Sequence, residues 1–312
     1  MATRFDATTR DEARAALHRE QPVIGERVIE WLIRLSGVSA IALVILIFGF
    51  LMREGIPALK DVPLAALLGS RWYPITGLYG LAPLIFGSLL VTLLAILIAV
   101  PIGLTTAIYL GEMAPPLLRH ILKPMVEILA GIPSIVLGFL GWVALAPLVQ
   151  RAGAPTGLTA FTGGLILAYM ALPTIISIAE DAIDAVPRAY RDGALALGAT
   201  DWQATYRVVL PAARSGLVTA VMLGIGRAIG ETMAVLMVTG NAANIPFGTG
   251  MFFEPVRTMT ATIAAEMGEV AQGSTHYHVL FAVAIVLFII TFAINSIAAR
   301  IIGVTSRQRI EG

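Results

Sequence analysis

The segment Gly224-Ile-Gly-Arg-Ala-Ile-Gly-Glu-Thr-Met-Ala234 sets an arginine and a glutamate four residues apart in an otherwise apolar stretch. Residues four apart share a face of a helix, so Arg227 and Glu231 are placed to meet. At the bilayer centre either charge costs about 2.5–3.5 kcal/mol on insertion scales, so the pair is expected to face protein or water. Cation before acid is the weaker i,i+4 order, which suggests an arginine with a second partner. A guanidinium fork grips a tetrahedral oxyanion through two parallel hydrogen bonds. An ionised Glu231 can accept the O–H of hydrogen phosphate and repels fully deprotonated sulfate or molybdate. The competing reading is a structural ion pair that fixes helix register. Gly224, Gly226 and Gly230 leave room for close packing or for a solute, and Thr232 borders the same space. The Pro133-Ser134 step offers the Ser134 hydroxyl and freed carbonyls to a pathway, against the plainer reading of a kink.

Those residues must be held by membrane helices. The 312-residue chain is 57% hydrophobic and 13% charged, with mean hydropathy +0.85, against about 45–50% apolar and 25% charged for soluble domains. Five stretches free of charged residues, 35–52, 72–111, 128–150, 152–179 and 270–299, are 18 to 40 residues long, and a helical span needs about 20. This composition excludes a soluble enzyme, a nucleic-acid binder and a secreted domain. A net charge of +1 suggests no polyanionic partner, and the absence of cysteine excludes disulfides, thiol chemistry and cysteine metal sites. The expected fold is all-α and polytopic, with six transmembrane helices near 35–52, 81–110, 128–150, 159–179, 217–240 and 279–300. Residues 1–34 read as a polar tail with a surface helix over its apolar 23–35 stretch, or equally as a longer first span. Residues 35–303 are expected to form the six-span transmembrane domain and 304–312 a second tail. Segments assigned to the inside carry 15 Lys and Arg and those outside 5, so both termini are expected in the cytoplasm. Trp72, Tyr73, Phe247, Phe252 and Phe253 in the outer loops suit an interfacial aromatic belt. His276 and His278, two apart, do not share a helical face, so no metal site is expected.

The longest inner loop, 180–214, reads as two short helices. Pro187 suits a helix start and Gly198 a left-handed stop. Thr200-Asp-Trp-Gln203 is a capping box, and Pro211 is expected to end the second helix. The turn projects Leu195, Leu197 and Trp202, apolar side chains that ask for a socket on another protein or fold back onto the membrane.

Here the sequence resembles the ABC-importer permeases. Asp192-Gly-Ala-x-x-x-Gly198, nine residues, then Val208-Val-Leu-Pro211 follows their EAA-x3-G-x9-I-x-L-P motif, with Asp192, Gly193 and Val208 as departures. The resemblance implies a type I importer permease fold and docking of Asp192, Ala194, Leu195, Leu197, Gly198 and Trp202 into a cytoplasmic ATPase dimer, on which ATP and Mg are bound. This chain has two lysines, each preceded by leucine, so it holds no Gly-Lys-Ser/Thr phosphate loop and is expected to bind no cofactor and to catalyse nothing itself. Gly226-Arg-Ala-Ile-Gly-Glu-Thr-Met-Ala-Val235, Glu127-Ile-Leu-Ala-Gly-Ile-Pro-Ser-Ile-Val-Leu-Gly138 and Gly87-Ser-Leu-Leu-Val-Thr are similar to the C-type permease of phosphate-specific (Pst) ABC importers, over residues 35–305. That likeness implies phosphate import across a bacterial inner membrane, a second A-type permease, an external phosphate-binding protein, and Arg227 and Glu231 on the translocation route. Alternatives are another oxyanion permease, for sulfate or molybdate, and an ion-coupled secondary transporter, for which a single deep carboxylate is thin provision.

Overall fold

The computed structural model describes residues 24–248 and 250–307. Among them, six helices are long and apolar enough to cross a membrane. They are α1 (Ile24–Gly55), α2 (Ala82–Met113), α4 (Ser134–Arg151), α5 (Ala160–Asp184), α7 (Asp201–Ile229) and α10 (Thr275–Arg307). Between them lie α3 (Pro116–Ala130), α6 (Arg188–Ala196), α8 (Met233–Val238) and α9 (Met259–Glu266). The chain divides into two compact units at Leu51. In the first, α1 is a single helix whose apolar residues, such as Val38, Ile41 and Ile45, are exposed. Residues 24–34 continue into the span without a break, which is the longer-span alternative and not a separate surface helix. Residues 1–23 of the tail and 308–312 lie outside the described residues.

In the second unit, α5 is the central helix, packed between α2 and α7 in one apolar cluster. Small residues set that closeness. A Cβ on Gly103 of α2 would come within 2.8 Å of Ile175, and one on Gly224 of α7 within 2.6 Å of the same side chain. Thr159 caps α5, accepting from the Thr162 amide at 3.2 Å.

The structure corrects several expected boundaries. The third span does not begin at residue 128. Helix α3 stops at Ala130, and α4 begins at Ser134 after Pro133, whose ψ of 135° is extended. A proline pushes the preceding residue out of helical geometry, so Gly131-Ile-Pro133 is a break. The fifth span, expected as 217–240, is likewise broken: α7 ends at Ile229 and α8 starts at Met233. Pro211 does not end a helix. A widened π-turn over Thr205–Val209 precedes it, and the helix runs through the missing N–H into the span. The inner loop is shorter than 180–214, because Glu180, Asp181 and Asp184 still belong to α5.

At the opposite end, strands β1 (Trp72–Tyr73) and β2 (Leu78–Tyr79) pair around a turn closed by Gly77 at φ +77°. Trp72 is 3% exposed and so is no interfacial anchor. Its Nε1 donates to Glu266 Oε1 at 3.1 Å, and Glu266 also pairs with Arg257 at 2.6 Å and His276 at 2.8 Å. Helix α9 tucks back against α2, where the Met259 amide donates to Ser88 Oγ at 2.8 Å.

Candidate functional site

The two helix breaks meet. Before them, Arg227 at the end of α7 reaches Ala130, the last residue of α3. Beyond them, a Cβ on Gly138 of α4 would lie 2.9 Å from Ala234 Cα of α8. The paired breaks bring Arg227, Glu231, Thr232 and Ser134 into one region of the fold, Ser134 half-buried in the first turn of α4 and Thr232 as the residue before α8.

The ion pair expected from the sequence does not form. Because α7 ends at Ile229, the i,i+4 face that would join Arg227 and Glu231 does not exist. Glu231 Oε1 instead accepts from the Ala234 amide at 3.1 Å, capping α8, and Thr260 Oγ1 donates to the Glu231 carbonyl at 2.8 Å. Glu231 lines a small pocket with the hydroxyl residues Ser88, Thr92, Thr258 and Thr260 and with apolar Val91, Leu167 and Val235. Arg227 turns to other elements. Nη1 lies 3.4 Å from Thr174 Oγ1 on α5 and Nη2 3.5 Å from the Ala130 carbonyl, both at the long limit of a hydrogen bond. It is exposed on the surface of the chain, not buried. The glycines divide in the same way: Gly224 packs, whereas a Cβ on Gly226 would meet nothing within 4 Å. The chemistry of the site is therefore a cation with unused donors beside open space, where an anion can be gripped.

The second station is α6. Pro187 precedes it, and a Schellman stop ends it. The Ala199 amide donates to the Ala194 carbonyl at 3.1 Å, the Gly198 amide to Leu195 at 2.9 Å, and Gly198 has φ +85°. Both bonds of the Thr200–Gln203 capping box are present. This tight corner leaves Leu197 91% exposed and Trp202 56% exposed, with Trp202 stacked on Tyr206 and with Leu195, Asp192 and Gly198 at the surface. Ala194 is the exception: it is buried, and so is not available to a partner. Arg191 fastens α6 to the chain. Nη1 donates to the Val186 carbonyl at 2.8 Å, Nη2 to Ile183 at 3.0 Å, and Nε to Glu112 Oε1 at 3.0 Å. The bond to Glu112 raises the Arg191 pKa above its ordinary value.

Sequence reasoning missed a group beside α6. Glu180, 0% exposed, lies 2.8 Å from Arg119 Nη2 and 3.1 Å from Lys123 Nζ; Arg119 also pairs with Asp184, and Lys123 with Asp181 at 3.0 Å. The available signal was spacing, since Arg119 and Lys123 are four apart on α3 and Glu180 and Asp184 four apart on α5. Among the described residues, no three His, Cys, Asp or Glu side chains gather to hold a metal. His276 and His278 go separate ways, to Glu266 and to the Glu54 carbonyl.

Broken membrane helices around an exposed cation, joined to a capped loop with an apolar tip, are the parts of a transport subunit. Residues 99–307 match the binding-protein-dependent transport system inner membrane components, and the chain belongs to that family. It is 41% identical over 261 residues to the phosphate transport system permease protein PstC of Mesorhizobium japonicum, covering 77% of this chain and 79% of that one. It is also 41% identical over 233 residues to the probable ABC transporter permease protein YqgH of Bacillus subtilis, covering 74% of each. Among solved structures it superposes on a chain of a bacterial alginate ABC transporter with a TM-score of 0.60 at 14% identity, covering 89% of this chain and 96% of that one. For a chain of the inward-facing MetNI methionine ABC transporter the TM-score is 0.57 at 22% identity, with coverage of 75% and 99%. These establish the importer-permease fold of a multi-pass inner-membrane component.

Proposed function

We propose that this chain is the membrane-spanning permease subunit of an ATP-driven importer of inorganic phosphate. The observation that carries the reading is Arg227, a guanidinium at a helix break whose neighbours among the described residues are a hydroxyl and a carbonyl at 3.4 and 3.5 Å and no carboxylate. A full cation inside a span costs too much to be idle, and its unused donors fit a tetrahedral oxyanion. Phosphate is chosen among oxyanions on the likeness to PstC. The two groups now face different elements, so Glu231 is assigned to capping α8 and not to reading the phosphate proton.

The apolar tip at Leu197 and Trp202 is the docking knob for a cytoplasmic ATPase dimer that binds ATP and Mg. With that tip and the excess of Lys and Arg on the inside, both termini lie in the cytoplasm. A second, A-type permease completes the pathway opposite Arg227, and an external phosphate-binding protein delivers the substrate.

The test is ATP-dependent phosphate uptake by the assembled complex in proteoliposomes, with and without excess sulfate. Uptake that needs ATP and withstands sulfate is expected; sulfate uptake at the same rate would make this a general oxyanion permease, and uptake driven by an ion gradient without ATP would make it a secondary transporter. Leu197→Asp with Trp202→Asp should strip the ATPase from the complex while the spans stay inserted. Stoichiometric ATPase after that change would remove the docking role.

A further inference from the structure

Helix α3 joins the two stations. It runs 15 residues, about 22 Å at 1.5 Å per residue. Its first half carries Arg119 and Lys123 to the end of α5, and its last carbonyl, on Ala130, faces Arg227. None of its residues is buried, so the ion pairs are its firmest hold on α5. Glu180 is the centre of that hold, a fully buried carboxylate between two cations, and removing one partner from such a group is costly. Arg119 and Asp184 also line one cleft of about 370 Å³ with Arg188, Arg191 and Asp192 of α6. Asp184 ends α5 only three residues before Pro187, and Arg191 grips the Ile183 and Val186 carbonyls on either side of it. A displacement of α6 therefore pulls on the end of α5 where α3 is attached.

We propose that Arg119, Lys123 and Glu180 clamp α3 to the base of α5, so that α3 carries the movement of α6 to the break at 131–133 and shifts the Ala130 carbonyl against Arg227. Glu180 is then a positioning residue that couples ATP hydrolysis to the anion site. This rests on the importer reading above. Within the clamp three acids face two cations, so Arg119 and Lys123 are both already partnered.

The experiment measures phosphate taken up per ATP hydrolysed by the whole reconstituted complex, together with its assembled amount, for wild type, Glu180→Gln, Glu180→Asp and Lys123→Met. The last leaves Arg119 on Glu180 and so keeps the chain foldable if Glu180→Gln does not assemble. Uptake per ATP should fall about tenfold in Glu180→Gln and Lys123→Met, within the usual span of coupling energies, with hydrolysis continuing and with partial recovery in Glu180→Asp. A merely structural clamp lowers the amount of complex and leaves that ratio unchanged in every variant that assembles, which would overturn the proposal. Wild-type complex with no ATP-dependent phosphate uptake overturns the importer reading instead, whatever the variants do.

Discussion

Arg191 and Arg227 are both arginines close to helix ends, and their surroundings are opposite. Arg191 spends its fork on Glu112 and two further donors on carbonyls at 2.8 and 3.0 Å. Among the described residues Arg227 has only a hydroxyl and a carbonyl at 3.4 and 3.5 Å. A guanidinium with four of its five donors committed fixes two elements together. One whose donors are mostly free is available to something that arrives and leaves. Charge alone does not separate a structural arginine from a binding one; the inventory of its hydrogen bonds does.

The contrast can be broken by exchanging the expected outcomes. Arg191→Gln should have the largest effect on stability, about 3 kcal/mol, because it strands the nearly buried Glu112 carboxylate. Complex per membrane area, read by quantitative blotting, should drop sharply. Arg227→Gln should leave that amount unchanged, since no protein carboxylate loses its partner, while uptake falls by about 10- to 100-fold, the 1.5–3 kcal/mol of charge-assisted hydrogen bonding. If Arg227→Gln instead depletes the complex and Arg191→Gln spares it, the roles are reversed.

A smaller effect sharpens the view of which side of α7 is open. Gly224→Ala should cost about 1–3 kcal/mol by driving a methyl into Ile175. Gly226→Ala meets nothing within 4 Å among the described residues and should cost nothing. Thermal unfolding of the detergent-purified chain compares them, and equal losses would mean that Gly226 is packed too. The smallest loss belongs to Glu231. Glu231→Ala removes the cap on α8 and should cost about 1 kcal/mol, whereas Glu231→Gln keeps an accepting oxygen and should retain both uptake and discrimination against sulfate. Loss of that discrimination in Glu231→Gln would restore the carboxylate to the substrate.

The spans and the capped loop were legible in the sequence because each is a local property. A run of apolar residues is a span wherever it lies, and Thr200 and Gln203 satisfy each other's backbone within four residues. The breaks were less legible. Gly230 keeps a helical φ of −87°, so no special conformation at that glycine marks the stop, and the Ala234 amide, which a continuous helix would direct to the Gly230 carbonyl, goes to the Glu231 carboxylate instead. An i,i+4 spacing predicts a pair only if the helix is continuous. Long-range partners left no local trace: Trp72 donates to Glu266, 194 positions away, and the Glu180 clamp joins helices about 60 residues apart.

The exposed arginine also bears on how the chain is made. Leu217, Val218, Val221, Leu223, Ile225 and Ile229 are the large aliphatic residues of the apolar part of α7. On the scale of the insertion machinery they contribute together about −2 to −4 kcal/mol, against about +2.5 to +3.5 for one arginine. By itself α7 thus stands near the point where a nascent segment is as readily passed through the translocon as released sideways into lipid. A polar neighbour tips that balance, and Thr174 sits on α5, which leaves the ribosome first. The same cation that suits the helix to hold an anion makes its entry into the membrane depend on the span synthesised before it.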